Sequence, residues 1–513
     1  MHFSRRQFLR GTSLGLGLLA VAPPLPRWLG EAAAASLSGY AGYRATVGVF
    51  LLGGNDGNNV IVPRTSTAHA TYLAARPNIG IPLDDLRVIN PIGMATGEYG
   101  LHPSLEKVAS HFEQGRAAVI CNVGPLVLPL RKADYQSGAI ASPDNLFSHS
   151  DQQDAWASAI ANPSTIDLPD TLEGKATGWG GRTADRLHPL NPGDYPELTS
   201  FGGKPLFSAG GERQPMMVSS SGVLEFKQTN DAAFNTLRAN ALAGIVDLHD
   251  GVTLEASYGG VFDTAQTFSS ARATARETAW SALPQATRDF IDGAFTAPAG
   301  VTGWTLHTQL YQVVRDLIAG AAPSTSGGLG VRRQMFSVGL GGFDTHAGQG
   351  PTQTDLLRQL DFALDAFQQA MLRLETEGLF GPNPPQATLF TMSDFGRTLL
   401  ENAQNGSDHG WGSHALVLGT RVQGRRLFGT FPNLDLSNGA GNNLDTVDAK
   451  GRWIPSLSVD QYGFSLATWL GLGGVADRDY AFPNLTAYVA AATAGGFPSS
   501  ARAFRIPFMT QDP

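Results

Sequence analysis

Val47-Gly48-Val49-Phe50-Leu51-Leu52-Gly53-Gly54-Asn55-Asp56-Gly57 is a short apolar run that stops in a glycine-rich turn bearing an acid. The pattern recurs at residues 335–340, which lead into Gly341-Gly342-Phe343-Asp344-Thr345-His346. It recurs again at residues 387–392, which lead into Ser393-Asp394-Phe395-Gly396-Arg397. Ser407-Asp408-His409-Gly410 stands just before a further apolar run at residues 415–419. Uninterrupted apolar runs of this length read as strands buried on both faces, the habit of mostly parallel α/β sheets. In such sheets ligands bind beyond the carboxyl ends of the strands. Carboxylates and imidazoles gathered there are the donors a divalent metal ion takes.

The chain has 513 residues, enough for a large α/β unit with insertions. Its formal charge is −8, which argues against nucleic acid as a partner. One cysteine, Cys121, lies in an apolar run, so an intramolecular disulfide is excluded and a small buried side chain is expected. Ser4-Arg5-Arg6-Gln7-Phe8-Leu9-Arg10, a weakly apolar stretch and Ala33-Ala34-Ala35 read as a twin-arginine export signal over residues 1–35. Removing those residues, which carry a net +3, takes the formal charge from −8 to −11. Pro23, Pro24 and Pro26 interrupt the apolar stretch, so no stable membrane span is expected. The expected location is periplasmic or secreted, with the twin-arginine translocase as partner during export.

Residues 36–513 are then one α/β domain, with an insertion at roughly 195–325 that contains amphipathic helices over 228–250 and 263–292. Residues 117–124 read as another buried strand, 356–374 and 459–472 as helices, 324–330 as a mobile loop and 430–455 as a surface excursion. Residues 144–156 read as a loop entering a helix.

Each polar residue has a plain alternative. Asp56 in its Gly/Asn turn could be a capping residue, and Arg397 after Asp394 could make a surface ion pair rather than bind an anion. Ser148 could cap a helix or attack a phosphorus or sulfur centre, and His149 beside it lies where backbone N–H groups favour an anion. His102 could face the same cleft.

Taken in order, the twin-arginine leader, the Asp56 turn, Ser148-His149 with Gln153, Gly342-Phe343-Asp344-Thr345-His346, Ser393-Asp394-Phe395-Gly396-Arg397-Thr398 and Asp408-His409-Gly410 resemble an exported bacterial family. That family is catalogued as a domain of unknown function (DUF1501) and grouped with the alkaline phosphatase and sulfatase superfamily. The resemblance implies an alkaline-phosphatase-like three-layer αβα sandwich and a site for one or two divalent ions, zinc first. It implies Asp56, Asp344, His346, Asp394 and His409 as metal ligands. Phe395 stands where the related motif has a histidine, which removes a ligand from the second ion. Ser148, His149 and Arg397 complete the expected catalytic set.

The expected function is an exported metal-dependent hydrolase of a small anionic ester, a phosphate or a sulfate. The alternative is a non-catalytic envelope or binding protein on a degenerate form of that fold.

Overall fold

Arg44–Leu52 forms the central strand β1. Its apolar residues split by parity: Ala45, Val47, Val49 and Leu51 enter one apolar cluster and Phe50 enters another. Successive side chains on a strand point to opposite faces, so the two clusters lie on the two sides of the sheet. The computed structural model describes residues 41–510, apart from 167, 203–204, 220–230, 247–252, 297–302, 378–379, 381–382 and 437–442. The expected export signal over 1–35 falls outside the described residues. Among those residues no helix is long and apolar enough to cross a membrane.

Further strands are Ile61–Pro63 (β2), Arg87–Ile89 (β3), Tyr99–Leu101 (β4), Ala117–Gly124 (β5), Leu198–Ser200 (β6), Met216–Met217 (β7), Arg333–Gly341 (β8), Gln386–Ser393 (β9), Ser413–Gly419 (β10), Leu427–Gly429 (β11) and Leu457–Ser458 (β12). The main sheet runs β11-β5-β10-β9-β1-β8-β6-β7, with β12 also on β5, and β2-β4-β3 make a small separate sheet. β1 is parallel to β8, from Arg44↔Arg333 to Leu52↔Gly341, and parallel to β9, ending at Leu51↔Ser393. The three strands therefore finish level with one another. β10 is antiparallel to both β9 and β5. The loop before β10 consequently opens at the same edge as the loops after β1, β8 and β9. This topology gathers Asp56, Asp344, His346, Asp394 and His409 at one edge from sequence positions far apart.

Helices cover both faces. Gln349–Thr376 packs Leu357, Leu360, Leu364, Phe367 and Met371 into the first cluster, together with side chains of Glu106–Glu113 and Thr305–Ala321. Each such side chain contributes roughly 1.5–3 kcal/mol by leaving water. Trp179–Leu187, Val459–Leu470 and Leu485–Ala494 serve the second cluster. The chain is thus a mixed α/β fold around a mostly parallel sheet.

Three expectations change. The helix expected over 356–374 begins earlier, at Gln349. The supposed insertion is woven into the fold, because β6 pairs with β8 at Leu198↔Met335 and Leu306, Leu310, Val313 and Leu317 enter the first cluster. The segment read as a surface excursion is anchored by buried Leu434, Val447 and Trp453, and the Trp453 indole N–H donates to Asn58 Oδ1 at 2.8 Å.

Candidate metal centre

Bare backbone brings the loops of the site together. Gly53 and Gly54 sit at φ of +113° and +84°, in the left-handed region that favours glycine. A Cβ on Gly53 would lie 2.4 Å from the Asp344 nitrogen, and one on Gly54 2.5 Å from the Phe395 ring. The loop before β10 is tied to the loop after β9 by a bridge between Arg397 and His409, with the Gly410 N–H on the Gly396 carbonyl at 2.7 Å.

Asp344 stands at the centre. Its Oδ2 lies 3.4 Å from His149 Nε2, and its Oδ1 lies 3.0 Å from His346 Nε2 and 3.4 Å from His409 Nε2. His346 Nε2 and His409 Nε2 are 2.9 Å apart. These four side chains are between 21% and 46% exposed, so the group opens to solvent. His149, Asp344 and His409 alone offer three ligand atoms within 4.8 Å of one another.

The outer nitrogens of the rings fix their protons. His149 Nδ1 faces Asp394 Oδ2 at 2.7 Å, and His409 Nδ1 faces the Phe147 carbonyl at 2.7 Å. His346 Nδ1 faces Asp408 Oδ1 at a longer 3.6 Å. Asp394 also accepts from Gln153 Nε2 at 2.9 Å and from the Gly53 N–H at 3.1 Å. With acceptors on the Nδ1 side, the neutral form of either the His149 or the His409 ring places its proton there and turns an Nε2 lone pair inward. Lone pairs and a carboxylate therefore face each other, an arrangement that a cation relieves. Zinc held tetrahedrally by nitrogen and oxygen at about 2.0–2.1 Å separates its ligand atoms by roughly 3.3 Å. The separations of 2.9–3.4 Å between Asp344 and each imidazole, and between His346 and His409, lie near that spacing, with His149, Asp344 and His409 as the compact three-donor group.

The electrostatics agree with ligand roles. Burial opposes ionisation of Asp344, but Arg397 and then His346 hold its carboxyl below the usual carboxylate range. Burial pushes the His409 imidazole down against the opposing pull of the Phe147 carbonyl, which keeps the ring neutral and able to ligate. The Lys450 ammonium, 2.8 Å from Asp408 Oδ2, brings Asp408 down to about 2.

Several expected residues take other places. Asp56 does not face the group. Its carboxylate is paired with the fully buried Arg76 guanidinium and accepts from Gln349 Nε2 and from the Asn58 N–H and Nδ2. With its charge balanced and its lone pairs used, it has nothing left for an ion. Asp394 lies behind His149 and orients that ring instead of ligating. Arg397 is buried, with Nη1 on Asp344 Oδ1 at 3.0 Å, so it positions Asp344 and does not meet an anion in solvent.

Ser148 holds the N-cap position of the helix His149–Ser158 without a capping bond, and its hydroxyl donates to Asp151 Oδ2. Asp151 gathers the Ser148 and Ser150 hydroxyls, so the chain's own carboxylate sits at the helix start expected to cradle an anion. His102 is buried with Nδ1 on the Ser104 N–H at 3.1 Å, burial lowering it to about 4, and it does not join the group. Arg76 and Gln349 carried no sequence signal. Asp408 lay in the quoted motif, next to His409, but was not read as a partner of His346.

No curated protein and no solved structure matches the chain. Residues 325–442, which hold Asp344, His346, Asp394, Arg397 and His409 but not Asp56 or His149, match the model of a family described as Protein of unknown function (DUF1501).

Proposed function

We propose that the chain holds one divalent ion, zinc first, on Asp344, His149, His346 and His409, and that it hydrolyses phosphate or sulfate esters after twin-arginine export to the periplasm or exterior. The observation that carries this reading is the convergence of inward lone pairs on Asp344 with the outer face of His149 and His409 held by an acceptor. A bound ion would supply Lewis-acid polarisation of an ester oxygen. Arg397 and Asp394 hold ligands in place from behind. Ser148 is the hydroxyl assigned to attack: it adjoins the ligand His149, and its hydroxyl donates a hydrogen bond to the Asp151 carboxylate.

A non-catalytic envelope or binding protein is the second reading. It is favoured by the loss of Asp56 to Arg76 and by Asp151 at the helix start, which leave neither a second ion site nor an open anion cradle there. Metal analysis of exported protein, with turnover assays on an aryl phosphate and an aryl sulfate, separates the two. One ion per chain and chelator-sensitive turnover support the hydrolase. One ion without turnover of either ester supports the binding protein, and a chain that binds no ion contradicts the site itself.

A further inference from the structure

A second cleft, of about 440 Å³, lies between the segment 129–133, the segment 454–456 and the segment 496–501, and it shares no lining residue with the metal-ligand group. That volume falls within the roughly 300–1,000 Å³ of small-molecule sites. Leu130, Pro455, Phe497 and Pro498 supply apolar wall.

Its charges are unusual. Lys132 lines the cleft yet is only 4% exposed. Its ammonium donates to the Asn443 carbonyl at 2.9 Å and, among the described residues, has no carboxylate beside it. One of three N–H donors is thereby used. Burying an ammonium without a counter-charge is costly, and an anion is the partner that offsets it. Arg131 stands at the exposed rim, its Nη2 on the Gly495 carbonyl at 2.6 Å and its guanidinium 4.2 Å from the Phe497 ring centre. Asp445, the acid of the lining, accepts from the Asn433 N–H at 2.8 Å, and among the described residues it makes no ion pair with Lys132 or Arg131. Tyr488 also lines the cleft, and its buried hydroxyl has no hydrogen-bond partner among the described residues.

We propose that this cleft binds a small amphipathic anion, its acid group on Lys132 and its apolar body against Leu130, Pro455 and Phe497. The shared chemistry is one acidic group on an aromatic or aliphatic body, whether the acid is a carboxylate, a sulfonate or a phosphate.

The probe is 8-anilinonaphthalene-1-sulfonate, titrated by fluorescence into the full chain, with the uncharged N-phenyl-1-naphthylamine as comparison. We expect one saturable sulfonate site, weakened at least tenfold in Lys132→Met and about threefold in Tyr488→Phe, with the neutral probe unaffected by Lys132→Met. Arg131→Gln, at the exposed rim, keeps the test decisive if Lys132→Met does not fold, and it should weaken the sulfonate several-fold. Asp344→Asn should leave sulfonate binding unchanged. Equal binding in wild type and in the folded charge variants would overturn the proposal, as would loss of the sulfonate site in Asp344→Asn.

Discussion

Asp56 and Asp344 both follow central parallel strands at one edge of the sheet, yet their surroundings are opposite. Asp56 is enclosed by donors: a guanidinium, a glutamine amide and the amide groups of Asn58. Asp344 has one guanidinium donor and three imidazoles turned toward it. The first is a closed ion pair that locks loops, with Arg76 also donating to the carbonyls of Thr398 and Leu399 at 2.7 and 2.8 Å. The second is an open set of donor atoms, partly exposed to solvent. An acid at a strand end stays accessible only where its carboxylate keeps a side toward solvent, as that of Asp344 does beside Arg397.

The largest expected effect breaks the closed side. Arg76→Ala leaves the Asp56 carboxylate buried and unpaired, which costs about 3–5 kcal/mol. Chemical denaturation should read that loss, and the double variant Arg76→Ala with Asp56→Asn should recover part of it. A loss under about 1 kcal/mol would mean that the pair is not the lock described.

Next comes His414, also on the closed side, buried and stacked on Phe431 at an interplanar angle of 5°. Burial lowers it from 6.5 to about 4, against the raising pull of Asp56. Its folded value is depressed, so between those two pH values the unfolded chain holds the proton that the folded chain refuses. Wild-type stability contributed by this group is therefore present above about pH 6.5 and is lost as the pH falls to about 4. His414→Phe should gain on wild type by about 3 kcal/mol between pH 7 and pH 4. Because the prediction is a difference between two proteins, opposing shifts at buried Asp361 and Asp460, both raised to about 7 by burial, cancel. A difference that does not vary with pH would contradict it.

On the open side, Asp394→Asn keeps the shape but offers His149 Nδ1 a weaker or inverted partner. Loss of such an outer contact typically weakens metal affinity by about 10–100-fold. Competition with a chelator would measure it, and unchanged affinity would place Asp394 outside the centre. The smallest expected effect is on folding in Ser148→Ala: about 1 kcal/mol or less, since the hydroxyl serves Asp151 and not the helix N–H groups. Ion content should stay the same while ester turnover disappears. Full turnover in that variant would remove Ser148 from the attacking role.

Much of this edge was legible in the sequence because its signals are local. Apolar runs ending in Asp344-Thr345-His346 and Asp394, and His409 ahead of another apolar run, mark where strands end and begin. What was not legible depends on distant partners. Arg76 ends an unremarkable helix, Ser66–Ala75, and nothing near it in sequence announces that it reaches Asp56. The roles of Asp394 and His149 exchanged for the same reason: only the docking of the helix His149–Ser158 decides which of them faces the centre. Composition misled at 430–455, where Asn, Gly and Asp outnumber the few side chains, Trp453 above all, that anchor the segment.

Calorimetric titration of the chelator-treated full chain with zinc tests the central claim most directly. One ion should bind per chain, and Asp344→Asn should weaken it at least a hundredfold while Asp56→Asn leaves its affinity within a few-fold of wild type. Two ions per chain, or a larger loss from Asp56→Asn than from Asp344→Asn, would contradict the account.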